Sequence, residues 1–156
     1  MRIYKINKIK LNCLTNYNLL LLSINIYYKN LYNLYGINTC LSWMILITFN
    51  STVLLDRTFF KRIRKKSQFT YLEFHIGNQI MHTLPCIYIY YYQPKILEYK
   101  HSIIAILFNL LWCYISSKGT MDLKEIYVKI DKKTNNTLHF ISIVTSLSVP
   151  FIYNNL

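Results

Sequence analysis

The chain is expected to be an all-α integral membrane protein, a single-domain bundle of about five transmembrane helices over residues 1–156, packed around the third helix. Three observations predict this. Hydrophobic residues make up 53% of the chain and charged residues 15%, with a mean hydropathy of +0.21, which would leave a soluble fold of 156 residues with too much apolar surface. Apolar runs recur at 13–28, 39–55, 70–92, 102–116 and 138–154, separated by polar punctuation. The basic residues, finally, sort to alternate loops.

Ahead of the first run lie Arg2, Lys5, Lys8 and Lys10, with no small-residue cleavage site after them, the pattern of an uncleaved signal anchor. The run itself is weakened as a span by Asn16, Asn18 and Asn25, and a position in the interface is the alternative to a crossing. Asn, Ile, Lys and Tyr are abundant and Ala105 is the only alanine, a bias typical of AT-rich coding, so single asparagines carry little weight. The second, fourth and fifth runs fall short of the ~20 residues that span a hydrocarbon core and must borrow flanking residues.

Between the second and third runs, Arg57, Lys61, Arg62, Arg64, Lys65 and Lys66 form a membrane-surface basic cluster. It reads as a topology-setting loop, or as a segment on an anionic leaflet with Phe59, Phe60 and Ile63 dipping into it. The third run, comfortable in length, ends in Tyr88, Tyr90, Tyr91 and Tyr92, an interfacial tyrosine belt closed by Gln93-Pro94. Trp112 and Tyr114 are expected to anchor the cytosolic end of the fourth run in the same way. The loop 117–137 mixes Asp122, Glu125 and Asp131 with lysines, as a solvated turn or short helix would.

If all five runs cross, the N-terminal tail, the Arg57–Lys66 loop and the loop with Lys118, Lys124, Lys129, Lys132 and Lys133 share one side. The opposite side receives only Lys29, Lys95 and Lys100 of the 18 basic residues. The positive-inside rule then places the N-terminus in the cytosol and the C-terminus outside. The net charge of +12 is spent on these clusters, so the expected partner is the lipid bilayer with its anionic headgroups, and not nucleic acid. The four cysteines, Cys13, Cys40, Cys86 and Cys113, contain no CxxC pair, and neither a metal nor another cofactor is expected.

The candidate site is a polar stripe on the third run. His75, Gln79 and His82 fall within about 40° of one line on a helix, with Asn78 at its edge and Glu73 on the far side. Ionisable groups at such depth are functional candidates by default. His75 and His82 are about 10 Å apart along the axis, too far for one zinc ion to take both. A proton or solute path along the stripe is one use, and hydrogen bonds to Asn109, Thr48 or Ser51 that hold the bundle together are another.

A third use comes from a resemblance. Asn78-Gln-Ile-Met-His82-Thr83 followed by Leu84-Pro85 resembles the Asn-His-x-x-His-Thr and Leu-Pro stretch of the androgen-induced family of intramembrane threonine hydrolases, with Gln79 where the family has its first histidine. Leu111-Trp112, Gly119 and Tyr127 echo the following segment. The resemblance implies lipid-ester cleavage with His82 as base and Thr48 as nucleophile. In general style the chain resembles small multi-pass membrane proteins of large DNA viruses or protists with AT-rich genomes. The expected function is that of a non-enzymatic membrane component, with an intramembrane hydrolase or polar conduit using His82 as the alternative.

Overall fold

A computed structural model describes residues 14–28, 32–67, 69–92, 96–122 and 130–155. These residues are all-helical: α1 Leu14–Tyr27, α2 Tyr32–Leu55, α3 Phe59–Ser67, α4 Tyr71–Tyr92, α5 Tyr99–Ser116 and α6 Lys132–Asn155. The N-terminal tail, Lys29, Lys95, Lys124, Tyr127 and Lys129 lie outside the described residues. Two helices are long and apolar enough to cross a membrane by length and composition, Asn33–Leu55 and Lys132–Asn155. Both start well before the apolar runs that announced them, because polar residues such as Asn33 and Asn135 continue the helical turn.

The bundle is organised around α2. It packs on α1, α3, α4, α5 and α6, and residues Asn38 to Ser42 are buried without a break, as expected of a stretch enclosed on every face, while Ile47, Leu54 and Leu55 further along are exposed. The other four long helices close a ring about it. α1 packs on α4, and Tyr17 meets Phe108 of α5 edge-on at 6.4 Å. α5 packs on α6, and Tyr153 of α6 returns to Tyr90 of α4 at 6.4 Å.

Named contacts fix an up-and-down order. Asn18 meets Ser42 and Asn25 meets Leu34, so α1 and α2 run antiparallel. Phe49 meets His82 and Trp43 meets Tyr153, which sets α4 and α6 antiparallel to α2. Cys40 meets Ser102, and α5 runs parallel to α2. Asn154 brackets the Leu97 backbone, accepting from its N–H and donating to its C=O at 2.9 Å each, so the α6 C-terminus and the α4–α5 connection share one end. At the other end Phe59 of α3 packs with Ile130 and Leu138. Arg57, the α3 cations, Lys118, Lys132 and Lys133 therefore gather at one end, with Lys100 at the opposite one. Among the described residues the cations thus divide between the two ends as the loop pattern led one to expect, while the side of a membrane each end faces is a separate question.

Two expectations need revision. The third run is not the hub; α4 sits in the ring, presenting Leu72, Ile76, Ile80, Leu84, Ile87 and Tyr91 outward. α3 does not dip its apolar face into a leaflet. Phe59 is buried, Phe60 meets Phe49, Phe74 and His75, and Ile63 joins the same cluster, so this face is consumed by the end of the bundle.

Local chemistry explains where the helices start and stop. Asp56 accepts from the N–H and hydroxyl of Thr58 and pairs with Arg62, fixing the start of α3. Thr70 and Glu73 form a capping box at α4, with the Thr70 N–H and hydroxyl donating to the carboxylate and the Glu73 N–H donating back to Thr70 Oγ1 at 3.3 Å. α5 ends in a Schellman turn: Gly119 N–H donates to Tyr114 C=O at 2.7 Å and Lys118 N–H to Ile115 C=O at 3.2 Å. Lys118 takes the left-handed conformation, φ 57°, that glycine usually occupies.

Candidate functional site

The interior is unusually polar. Asn18, Asn25, Asn38, Thr39, Ser42, His101, Ser102, Asn109, Ser142 and Ser146 are all buried, while leucines and isoleucines of every long helix are exposed. In α1 the asparagines that seemed to weaken the first run are its packing face. Thr15, Asn18, Leu22 and Asn25 recur at three- and four-residue spacing and are buried against α2 and its neighbours. Asn18 Nδ2 donates to Ser42 Oγ at 2.8 Å, and Asn38 Nδ2 donates to Asn18 Oδ1 at 2.6 Å. Asn25 Nδ2 reaches the Leu34 carbonyl at 3.3 Å.

The α5–α6 seam follows from a proline. Pro150 has no N–H, so the carbonyl of Ser146, four residues earlier, loses its helical donor. Ser102 Oγ supplies one instead, donating to that carbonyl at 2.7 Å, and Ser146 Oγ donates back to Ser102 C=O at 3.3 Å. Because the Ser102 hydrogen is committed to Ser146, its oxygen is the acceptor for the Cys40 thiol at 3.5 Å. Further along, Asn109 Nδ2 donates to Ser142 Oγ at 3.4 Å. Small serines and Ala105 let the two backbones approach, as glycines do in membrane bundles.

His101 and Gly36 form a second lock. His101 Nδ1 accepts from the Glu98 N–H at 3.2 Å, which leaves Nε2–H to donate to Asn33 Oδ1 at 3.3 Å. The imidazole lies so close to Gly36 that a Cβ there would collide with it. By contrast, a Cβ on Gly77 would meet nothing within 4 Å.

His139 Nε2 lies 3.1 Å from the Met121 carbonyl and 3.9 Å from Cys113 Sγ. A carbonyl can only accept, so Nε2 carries the hydrogen, and Nε2 is unable to take a proton from the Cys113 thiol. Cys40, Cys86 and Cys113 are free and buried. Among the described residues, no three His, Cys, Asp or Glu side chains converge as metal ligands would.

The polar stripe of α4 is dispersed. His75 is half-buried among Tyr71, Phe74 and Phe60, with ring centroids 4.1 to 5.7 Å away. Gln79 is exposed and accepts from Thr83 Oγ1 at 2.8 Å. His82 stacks flat on Phe49 of α2 at 4.0 Å, and its Nδ1 is buried without a hydrogen-bond partner. Asn78 Nδ2 and Thr48 Oγ1 are likewise buried and unpartnered. Thr48 precedes the Phe49 that covers His82, yet no hydrogen bond joins hydroxyl and imidazole. The expected cross-links from the stripe to Asn109, Thr48 and Ser51 do not form; Asn109 is used by Ser142.

Other expected roles also move. Trp112 is buried in the main core, whereas Tyr114 is exposed. Glu73 caps α4 through Thr70. Arg57, Lys61 and Lys65 are exposed, Arg62 is paired with Asp56, Arg64 lies over the Tyr71 ring at 5.6 Å, and Lys66 is the penultimate residue of α3.

No protein-family model matches the chain, and no curated protein or solved structure matches it.

Proposed function

We propose that the chain is a multi-pass integral membrane protein in which α1, α2, α4, α5 and α6 cross the bilayer, and that it acts as a non-enzymatic membrane component. One observation carries the reading: polar side chains are buried between helices beside the apolar core, while large apolar side chains on every long helix face outward. Hydrogen-bonding groups are sequestered at helix contacts, while Leu20, Leu54, Leu72, Ile80, Leu107, Leu111, Phe140 and Phe151 face outward. In water this arrangement would forgo the burial that stabilises a core; in hydrocarbon it satisfies polar groups and places apolar ones in their own solvent. The basic end faces the cytosol under the positive-inside rule, so the C-terminus lies on the other side.

Two assays test this together. Membranes stripped with alkaline carbonate should retain the protein, and reporters placed after Leu156 and within Arg57–Lys66 should report opposite compartments. Release into the supernatant, or the same compartment for both reporters, would reject it.

A second reading, an intramembrane hydrolase or polar conduit, draws on the unpartnered atoms of Thr48, Asn78 and His82 near the α2–α4 seam. Buried polar groups without partners are uncommon, and a catalytic role or a bound water or ion is among the reasons for keeping them. A fluorophosphonate probe should then label the protein and fail to label Thr48→Ala; no labelling of folded protein leaves the structural role standing alone.

A further inference from the structure

We propose that the outward face of α3, formed by Lys61, Arg64 and Lys65, binds the phosphate headgroups of anionic phospholipids. The inference rests on the membrane reading above and adds a specific lipid partner to it. On a helix these three residues fall within an arc of about 100°, opposite Phe59 and Ile63. The opposite face is fully engaged: Phe59 with Ile130 and Leu138, Phe60 with Phe49, Phe74 and His75. The helix therefore cannot roll about its own axis, and Asp56, holding Thr58 and Arg62, fixes its start. The cations are presented by a rigid element and not by a loose loop.

Their charge is uncompensated. Asp56 is taken by Arg62, and among the described residues Lys61, Arg64 and Lys65 have no acidic partner. The guanidinium carbon of Arg64 lies over the Tyr71 ring at 5.6 Å, and a guanidinium carries a planar fork of N–H donors that suits bidentate binding to a phosphate. Tyr71 opens α4, so Arg64 stands where that span begins, at the level of the headgroups. Lys132 and Lys133 belong to the same end but lie in the first turn of α6, behind the capping carboxylate of Asp131, which accepts from Thr134 N–H at 2.9 Å. Charge complementarity therefore favours a lipid phosphate at α3 over the rest of the basic end. Each cation near an anionic surface contributes about fivefold in affinity, so the three together give on the order of a hundredfold.

The test uses the full chain purified in an uncharged detergent, with native mass spectrometry of adducts formed with dioleoylphosphatidylglycerol and dioleoylphosphatidylcholine. The parent protein should retain phosphatidylglycerol preferentially. The variant Lys61→Gln/Arg64→Gln/Lys65→Gln should lose that preference by at least tenfold, while the charge-matched Lys118→Gln/Lys132→Gln/Lys133→Gln keeps it. Should the triple α3 variant lose helix content, Arg64→Gln alone supplies the comparison and should weaken retention severalfold. Retained preference in the α3 variants, or equal loss in the control, would overturn the proposal, and so would complete displacement of the lipid by inorganic phosphate. A chain released by alkaline carbonate would defeat the membrane reading itself; one that stays in the membrane without preference defeats only the α3 assignment.

Discussion

Replacing Ser146 with leucine makes the protein more hydrophobic and should nevertheless weaken it. Ser146 is 0% exposed, faces Ser102 at 0%, and sits where the α6 carbonyl freed by Pro150 is bonded by the Ser102 hydroxyl. A leucine here has no room without separating α5 from α6. Overpacking of a filled site costs about 1–3 kcal/mol. Losing the Ser146 hydroxyl bond and loosening its reciprocal adds about 0.6 kcal/mol each, the average for interhelical bonds in membranes. The sum is about 2–4 kcal/mol, whereas Ser146→Ala, which removes one bond and adds no bulk, should stay near 0.6 kcal/mol. The neighbouring Leu147 is 41% exposed. Lysine there should be nearly neutral if that face meets water, but should cost about 3 kcal/mol at mid-bilayer depth. Reversible unfolding of bilayer- or micelle-embedded protein, followed by Trp43 and Trp112 fluorescence, measures all three. Ser146→Leu as stable as the parent would refute the tight seam.

The other expectations concern separate parts of the bundle. Gly36→Ala should displace His101 and destabilise by at least about 1 kcal/mol through overpacking, while Gly77→Ala in α4 should be neutral or stabilising by about 0.5–1 kcal/mol; thermal unfolding separates them. Asn18→Leu removes bonds to both Ser42 and Asn38 and should cost about 1–3 kcal/mol, read as loss of amide protection in α1 and the first half of α2. Thr70→Ala should fray the first turn of α4 at about 1 kcal/mol, seen as faster amide exchange from Tyr71 to Phe74. Arg62, followed by the Thr58 bonds, holds the Asp56 carboxyl below its usual range, so its contribution to α3 is present above the unfolded carboxylate pKa, near 4. That contribution is lost as pH falls through the lower folded value. Amide exchange in α3 should accelerate below about pH 4, and Asp56→Asn should abolish the pH dependence.

The helical class and the sorting of basic loops were legible because both depend on strong, local signals: long apolar runs and dense cation clusters. The polar interior was misplaced. His75, Gln79 and His82 stand out in one helix because they are large and polar, yet Gln79 faces outward and the imidazoles pack on aromatic rings. Asn18, Ser42, Ser102 and Ser146 do the cross-linking; the serines barely disturb a hydropathy profile, and Asn18 registers there only as an interruption of an apolar run. Their role emerges only when two helices face each other. Some signals were present and unread: the three- and four-residue spacing of Thr15, Asn18, Leu22 and Asn25, the Thr70-x-x-Glu73 capping box, and Pro150 four residues after Ser146. Gly36 was missed because it precedes the apolar run at 39–55. The α3 helix was legible as a basic amphipathic segment, but which surface takes its apolar face is decided by Phe49, Phe74 and Leu138, which lie on three other helices.

The central claim is that hydrocarbon, not water, surrounds the exposed leucines and isoleucines. A bilayer-confined diazirine lipid, photoactivated in membranes holding the protein and mapped by mass spectrometry, tests it without altering the chain. Labelling should fall on Leu72, Ile76, Ile80, Leu84, Leu107, Leu111, Phe140 and Phe151 and spare Ser42, Asn109 and Ser146. Labelling of those interior positions, or modification of the outward stripes by a water-soluble carbene probe instead, would contradict it.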